Sequence, residues 1–193
     1  MRLATRLLWI ALFVVPFAAA QSGPQPEVRD HTADIPGWFK ESFLDLPADI
    51  REAAREKKRL ILYFGQEGCP YCRELMQVNF SQKDIVDKTR ERFEAIALDI
   101  WGDRQLTWVD GRQYTEKEFA GLLKVQFTPT LLFLDQRGRV ALRVNGYYPP
   151  HKFRAALDYA IGKSAPGLSF GAYLRAAAGE PSSGMLHDEP FFV

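Results

Sequence analysis

The amino-acid sequence predicts an α/β fold: a mixed central β-sheet flanked by helices, forming a single domain with N- and C-terminal extensions. Three observations lead there. Leu60-Ile61-Leu62-Tyr63-Phe64 is a short apolar run closed by Gly65, the length and content of a buried strand. Segments of helical period separate it from two further strand candidates, Phe93–Ile100 and Thr130–Asp135, and helices between strands imply parallel crossovers. A tight turn at Gln136-Arg137-Gly138 then joins Thr130–Asp135 to a strand over Arg139–Tyr148, which implies an antiparallel pair.

Composition bounds what such a domain does. The chain has 193 residues, 47% of them hydrophobic, enough for one buried core and too apolar for wholesale disorder. Lys and Arg number 25 against 24 Asp and Glu, which gives no reason to expect a nucleic-acid partner. Two cysteines cannot build a disulfide-dense scaffold.

The first twenty residues read as an address. Arg2 and Arg6 precede a nine-residue apolar run, Leu7–Val15, and Ala18 and Ala20 place small side chains before Gln21. That is the pattern of a cleavable signal peptide over 1–20, and the run is shorter than the roughly 20 residues that span a bilayer. Export to a periplasm without stable membrane insertion is the expectation. Residues 21–44 follow as a leader whose Trp38, Phe39, Phe43 and Leu44 carry apolar surface for docking on the domain.

The domain is expected over 45–163. A helix is predicted across Pro47–Lys58, with Pro47 in its first turn and Ile50, Ala53 and Ala54 on one side. Pro70–Asn79 is helical in pattern, and Ser81–Arg92 is a second helical piece opened by Ser81 with Asp84 as a capping-box variant. Asp110-Gly111 between Thr107-Trp108-Val109 and Arg112-Gln113-Tyr114 signals a hairpin. Thr115 with Glu118 is a capping box opening a helix to about Val125. Pro149-Pro150 starts another, with Phe153, Ala156, Leu157 and Ala160 at helical spacing. Residues 164–193 form a tail holding a short helix over Phe170–Ala178, a break at Pro181–Gly184 and an apolar end, Pro190-Phe191-Phe192-Val193.

Both cysteines lie in one tetrad, Cys69-Pro70-Tyr71-Cys72, where the first strand gives way to a helix. A helix start offers unpaired N–H groups and partial positive charge, which favour a thiolate on Cys69. Pro70 suits the first helical position, and Cys72 lies one turn on, close enough to close a small disulfide. The spacing predicts an exposed nucleophile, Cys69, and a resolving neighbour, Cys72. Zinc would want about four ligands, and His31, His151 and His187 are far off in sequence. Haem attachment would need His where Arg73 stands, and a disulfide over three residues closes too short a loop to stabilise much. Redox chemistry without a cofactor or metal is the reading favoured.

The stretch from Tyr63 to Cys72, followed by Phe127-Thr128-Pro129-Thr130, resembles the thioredoxin superfamily, most of all its exported branch related to the SoxW proteins of sulfur-oxidation clusters. The resemblance covers about Asp45 to Gly162 and implies a thioredoxin fold. It implies that Pro129 is cis and faces the cysteine pair, and that Thr128 offers backbone groups to an extended client. Gly68, Pro70 and Tyr71 would line the same groove, and Gly146 would form its other rim. Two positions depart from the family: Tyr63 stands where cytosolic thioredoxins carry a buried Asp that assists proton transfer, and Gly68 where they carry a bulky aromatic.

Thiol–disulfide exchange is the expected reaction, with client protein disulfides as partners and a membrane thiol donor restoring the dithiol. Arg73 favours the Cys69 thiolate and Glu67 opposes it. Tyr71 adds no positive charge, so reduction of clients is favoured. Oxidation or isomerisation of clients, and Cu(I) carriage by the two thiolates, are the alternatives.

Overall fold

The structure, a computed structural model, describes residues 35–163, 165 and 167–178. The expected signal peptide, the leader before Ile35, the break at Pro181–Gly184 and the apolar end Pro190–Val193 lie outside the described residues.

Helix α1 (Leu46–Arg55) opens under Asp45, whose carboxylate accepts the N–H of Ala48 at 3.1 Å, with Pro47 in the first turn. Strand β1 (Arg59–Gly65) follows, then helix α2 (Pro70–Glu74), which runs directly into a π-helical turn, Leu75–Asn79. Next come helix α3 (Lys83–Arg92), strand β2 (Phe93–Asp99), the hairpin β3 (Gln105–Thr107) and β4 (Gln113–Thr115), and helix α4 (Glu116–Leu122). Strands β5 (Thr130–Leu134) and β6 (Val140–Asn145), helix α5 (Pro150–Ala160) and helix α6 (Phe170–Ala178) complete the order. The Thr115–Glu118 capping box is formed on both sides. The one expected at Ser81 is absent: the hydroxyl of Ser81 turns back to Val78, and α3 starts after Gln82 with no side-chain cap.

The main sheet has the order β2-β1-β5-β6. Its alternation divides the core in two. Ile61, Tyr63, Leu131 and Phe133 face a layer containing Leu75, Ile85, Phe153 and both cysteines. Leu60, Leu62, Phe64 and Leu132 face Ile50 of α1, Leu106 of the hairpin and Phe119 of α4. α6 lies on α5, where the Phe170 ring meets that of Tyr159 at 5.1 Å.

One expected connection is corrected. β1 and β2 are parallel, but β5 runs antiparallel to β1, with Thr130 opposite Phe64. The cause is the length of the crossover. α4 begins beside Asp99, whose N–H donates to the Glu116 carboxylate. Its seven residues advance only about 10 Å, short of the roughly 23 Å length of β1. The chain turns at Lys124, φ 50°, and re-enters the sheet at the end it had left.

Residues 35–45 wrap the β2 edge. Phe39 packs edge-on against Tyr63 and Phe80, the N–H of Lys40 donates to Ala95 at 2.8 Å, and Leu44 is buried on the opposite face. This covers backbone groups that an edge strand otherwise leaves open. Phe43, expected to dock with them, is fully exposed. Leu44 takes φ 63°, which turns its side chain inward and leaves its neighbour pointing out.

Candidate functional site

Three loops meet at the C-terminal end of β1. The first leaves Gly65, passes Gln66, Glu67 and Gly68, and enters α2 at Cys69. Cys69 is the N-cap residue: its sulfur accepts the N–H of Cys72 at 3.1 Å, the bond a capping side chain makes to the first turn. Pro70 occupies the first helical position, where a missing N–H costs nothing. One turn of helix sets the two cysteine Cα atoms 5.2 Å apart, and their sulfurs are joined as a disulfide.

The second loop precedes β5. The hydroxyl of Thr128 donates to the Cys69 sulfur at 3.3 Å, and the Thr128 carbonyl oxygen lies 3.4 Å from the same atom. The Thr128–Pro129 peptide bond is cis, and Pro129 is buried. The third loop follows β6, where the N–H of Gly146 donates to the Pro129 carbonyl at 2.7 Å. Gly146 has φ 77°, a conformation that favours glycine.

This packing corrects the expectation of an exposed nucleophile. Cys69 is 7% exposed and Cys72 6%, so burial does not tell them apart. Thr128 meets the Cys69 sulfur with both its hydroxyl and its carbonyl oxygen. What distinguishes Cys69 is two donors aimed at its sulfur, the Cys72 N–H and the Thr128 hydroxyl.

The remaining sequence-predicted residues form a rim. Gly68, φ 71°, is exposed with open space where a side chain would stand, and Pro70, Tyr71, Glu67 and Arg73 are exposed on the same helix entry. Exposed Phe127 flanks Thr128. Tyr147 lies beside Gly146, and burial together with the nearby Glu74 carboxylate holds its phenol above the ordinary value. Among the described residues, no three His, Cys, Asp or Glu side chains cluster as metal ligands would.

Sequence reasoning missed two features. The Thr128 side chain contacts sulfur, where only its backbone had been expected to act. Trp101, exposed on the loop after β2, donates its indole N–H to the Gln66 side chain at 2.7 Å and so ties down the approach to Cys69. That loop is anchored beneath by Glu116, a buried carboxylate held by Arg104 at 2.6 Å and by the Asp99 N–H at 3.0 Å. No local motif announces either contact, since each joins segments remote in sequence.

A family model described as a thioredoxin-like domain matches residues 46–161. The chain belongs to the thioredoxin-like domain family. One solved structure agrees on the fold, and two others are similar over part of the chain. A thioredoxin-fold protein from Helicobacter pylori shares 24% identity at a TM-score of 0.50, over 64% of this chain and 81% of that one. A thioredoxin from Thermus thermophilus shares 22% at a TM-score of 0.48, over 61% and 84%. The periplasmic thioredoxin SoxS from Paracoccus pantotrophus shares 22% at a TM-score of 0.40, over 56% and 100%. No curated protein matches the sequence. The thioredoxin fold expected from the tetrad and the Thr-Pro-Thr segment is therefore the fold of this chain, with the cysteine pair at the family's strand-to-helix junction. Among the described residues, no helix is long and apolar enough to cross a membrane.

Proposed function

We propose that this chain is an exported thiol–disulfide oxidoreductase that reduces disulfides of client proteins. One observation carries the reading: the sulfur of Cys69 is a helix N-cap that receives both a backbone N–H and the Thr128 hydroxyl. Donors so placed stabilise a charged sulfur far more than a neutral one. The Cys69 thiolate attacks a client disulfide; a Cys69–client bond forms, and the client's other sulfur leaves as a thiolate and takes a proton from water. Cys72 gives its proton to water and attacks the Cys69 sulfur, re-forming the bond now seen and releasing the second client thiolate. Two electrons pass from the dithiol to the client, and a membrane thiol donor returns them.

Gly68, Pro70, Tyr71, Thr128 and Gly146 bound the path of the client chain in this reading. Pro129, lacking an N–H, presents no competing donor to the sulfurs. Glu67 and Arg73 set the local field, and Tyr71 adds no positive charge to push the pair toward an oxidant. The signal pattern over 1–20 supports export, and the resemblance around the tetrad supports the SoxW-related branch.

Insulin reduction with Cys69→Ser and Cys72→Ser variants tests the reading. Cys69→Ser abolishes turnover, and Cys72→Ser accumulates mixed disulfides that dithiothreitol releases. A potential below about −200 mV fits a reductase, and one near about −120 mV an oxidase. Full activity in Cys69→Ser would overturn the assignment.

A further inference from the structure

Beside the cysteine site, on the α1–α4 side of the sheet, a cleft of about 830 Å³ lies between the β3–β4 hairpin, the end of α4 and strand β6. That is the size of a site for a short peptide or small ligand. It continues from the cysteine site: Phe127 precedes Thr128, Asn145 precedes Gly146, and both line the cleft. Its apolar surface is open, with Leu122, Phe127 and Val140 all exposed. Its long wall is β6, the last strand of the sheet among the described residues. An open edge offers main-chain hydrogen bonds to an extended chain.

The charge of the cleft is one-sided. Asp110, its carboxylate, is engaged by Arg112 at 2.6 Å. The Arg143 guanidinium reaches the carbonyls of Leu123 and Lys124 and the amide oxygen of Asn145. Among the described residues, neither Arg143 nor Lys124 pairs with a carboxylate. Burial without a counter-charge holds the Arg143 guanidinium below its ordinary value. Two unneutralised cations beside exposed apolar side chains call for an occupant that is acidic and apolar at once.

We propose that this cleft docks an extended segment of the client protein, bearing a carboxylate next to a bulky apolar side chain, while the client's disulfide reacts at Cys69. The client role rests on the oxidoreductase reading; the docking chemistry stands on the cleft alone.

The probe is a fluorescein-labelled synthetic peptide of sequence Leu-Asp-Phe-Glu-Val-Phe, without cysteine, titrated into the full chain with its disulfide formed. It binds, whereas the same peptide with Lys for Asp and Glu does not, and affinity falls as salt is raised. Lys124→Glu and Val140→Glu, both on exposed positions, each weaken it about tenfold or more. The chain reduced to its dithiol and freed of reductant then reduces the same peptide extended by one cysteine that carries a disulfide-linked thiol dye, its own Cys69–Cys72 bond re-forming as the dye leaves. The two variants raise the KM of this reaction while reduction of a small aromatic disulfide is unchanged. Peptide binding without turnover would remove the oxidoreductase reading and the client role and leave the docking chemistry. Turnover with equal affinity for acidic and basic peptides would overturn the docking proposal. So would tighter binding after deletion of residues 181–193, which would make this chain's own tail the occupant, or a dimer in sedimentation that the peptide dissociates, which would make it a second copy.

Discussion

The hydroxyl of Thr128 donates to the sulfur of Cys69 across 3.3 Å, joining residues 59 apart in the chain. In the disulfide form this is a weak bond to a neutral acceptor. Once the pair is reduced and Cys69 is a thiolate, the same donor faces a full charge, and hydrogen bonds to charged groups are worth about 1.5–3 kcal/mol. The contact therefore favours the reduced state.

Thr128→Val keeps the shape and removes the donor. The reduced form loses more than the oxidised one, so the reduction potential becomes more negative by about 30 mV, tenfold in the exchange equilibrium constant. Equilibration against glutathione at fixed pH measures it. Thr128→Ser, which keeps a hydroxyl, stays near the parent value. If Thr128→Val and Thr128→Ser shift together, packing rather than the hydroxyl sets the potential.

Tyr63 and Gly65 form a second coupled pair. They lie on the same side of β1, and the Tyr63 ring runs along the strand over Gly65. A β-carbon added there would meet the Tyr63 hydroxyl and stand 2.7 and 2.8 Å from ring carbons Cζ and Cε1. The ring cannot swing out, since Tyr63 is buried against Phe39 and the cysteine layer. Gly65→Ala is therefore an overpacking change, costing about 1–3 kcal/mol in urea unfolding. Paired with Tyr63→Leu, which withdraws the ring end, the added cost of the alanine largely vanishes. Strict additivity of the two would show that the ring does not confine Gly65.

The local signals were legible and the long-range ones were not, for identifiable reasons. Thr115 with Glu118, the tetrad at the end of Leu60–Phe64 and the turn at Gln136–Gly138 are each decided by neighbours within a few residues. The direction of β5 depends on how far α4 travels before Lys124 turns the chain, and helical periodicity to Val125 does not show that length. Asp110-Gly111 announced a hairpin, yet pairing stops at Thr107 and Gln113; the N–H of Trp108 closes on the Arg112 carbonyl, and the Asp110 carboxylate accepts the Arg112 N–H, so the turn is wider than two residues. Phe39 and Phe43 look alike in sequence, yet Phe39 is buried against Tyr63 and Phe80 while Phe43, just before the left-handed backbone at Leu44, is exposed; partners remote in the chain make the difference. At the site, the cysteines and Thr128 were found from motifs, whereas the Trp101–Gln66 bond joins two loops that carry none.

Acid should loosen the layer that carries the cysteines, through Asp158. Its carboxylate, on α5, meets Lys88 of α3 at 3.1 Å and Lys163 at 2.9 Å. Burial pushes the carboxyl up, but the hydrogen bonds from Lys163 and Lys88 and the charge of both outweigh it and hold the group below its usual range. A folded-state value lower than the unfolded one stabilises the protein above the ordinary carboxylate value of about 3.9, and that contribution is lost as pH falls through the depressed value. Asp158→Asn removes the titrating group. At pH 7 the variant unfolds at lower urea than the parent; below about pH 4 the gap narrows as the parent takes up the proton that the variant never binds. Urea midpoints of both proteins at pH 7 and pH 3 measure this. A gap of the same size at both values would mean that shape, rather than charge, is what Asp158 supplies between α3 and α5.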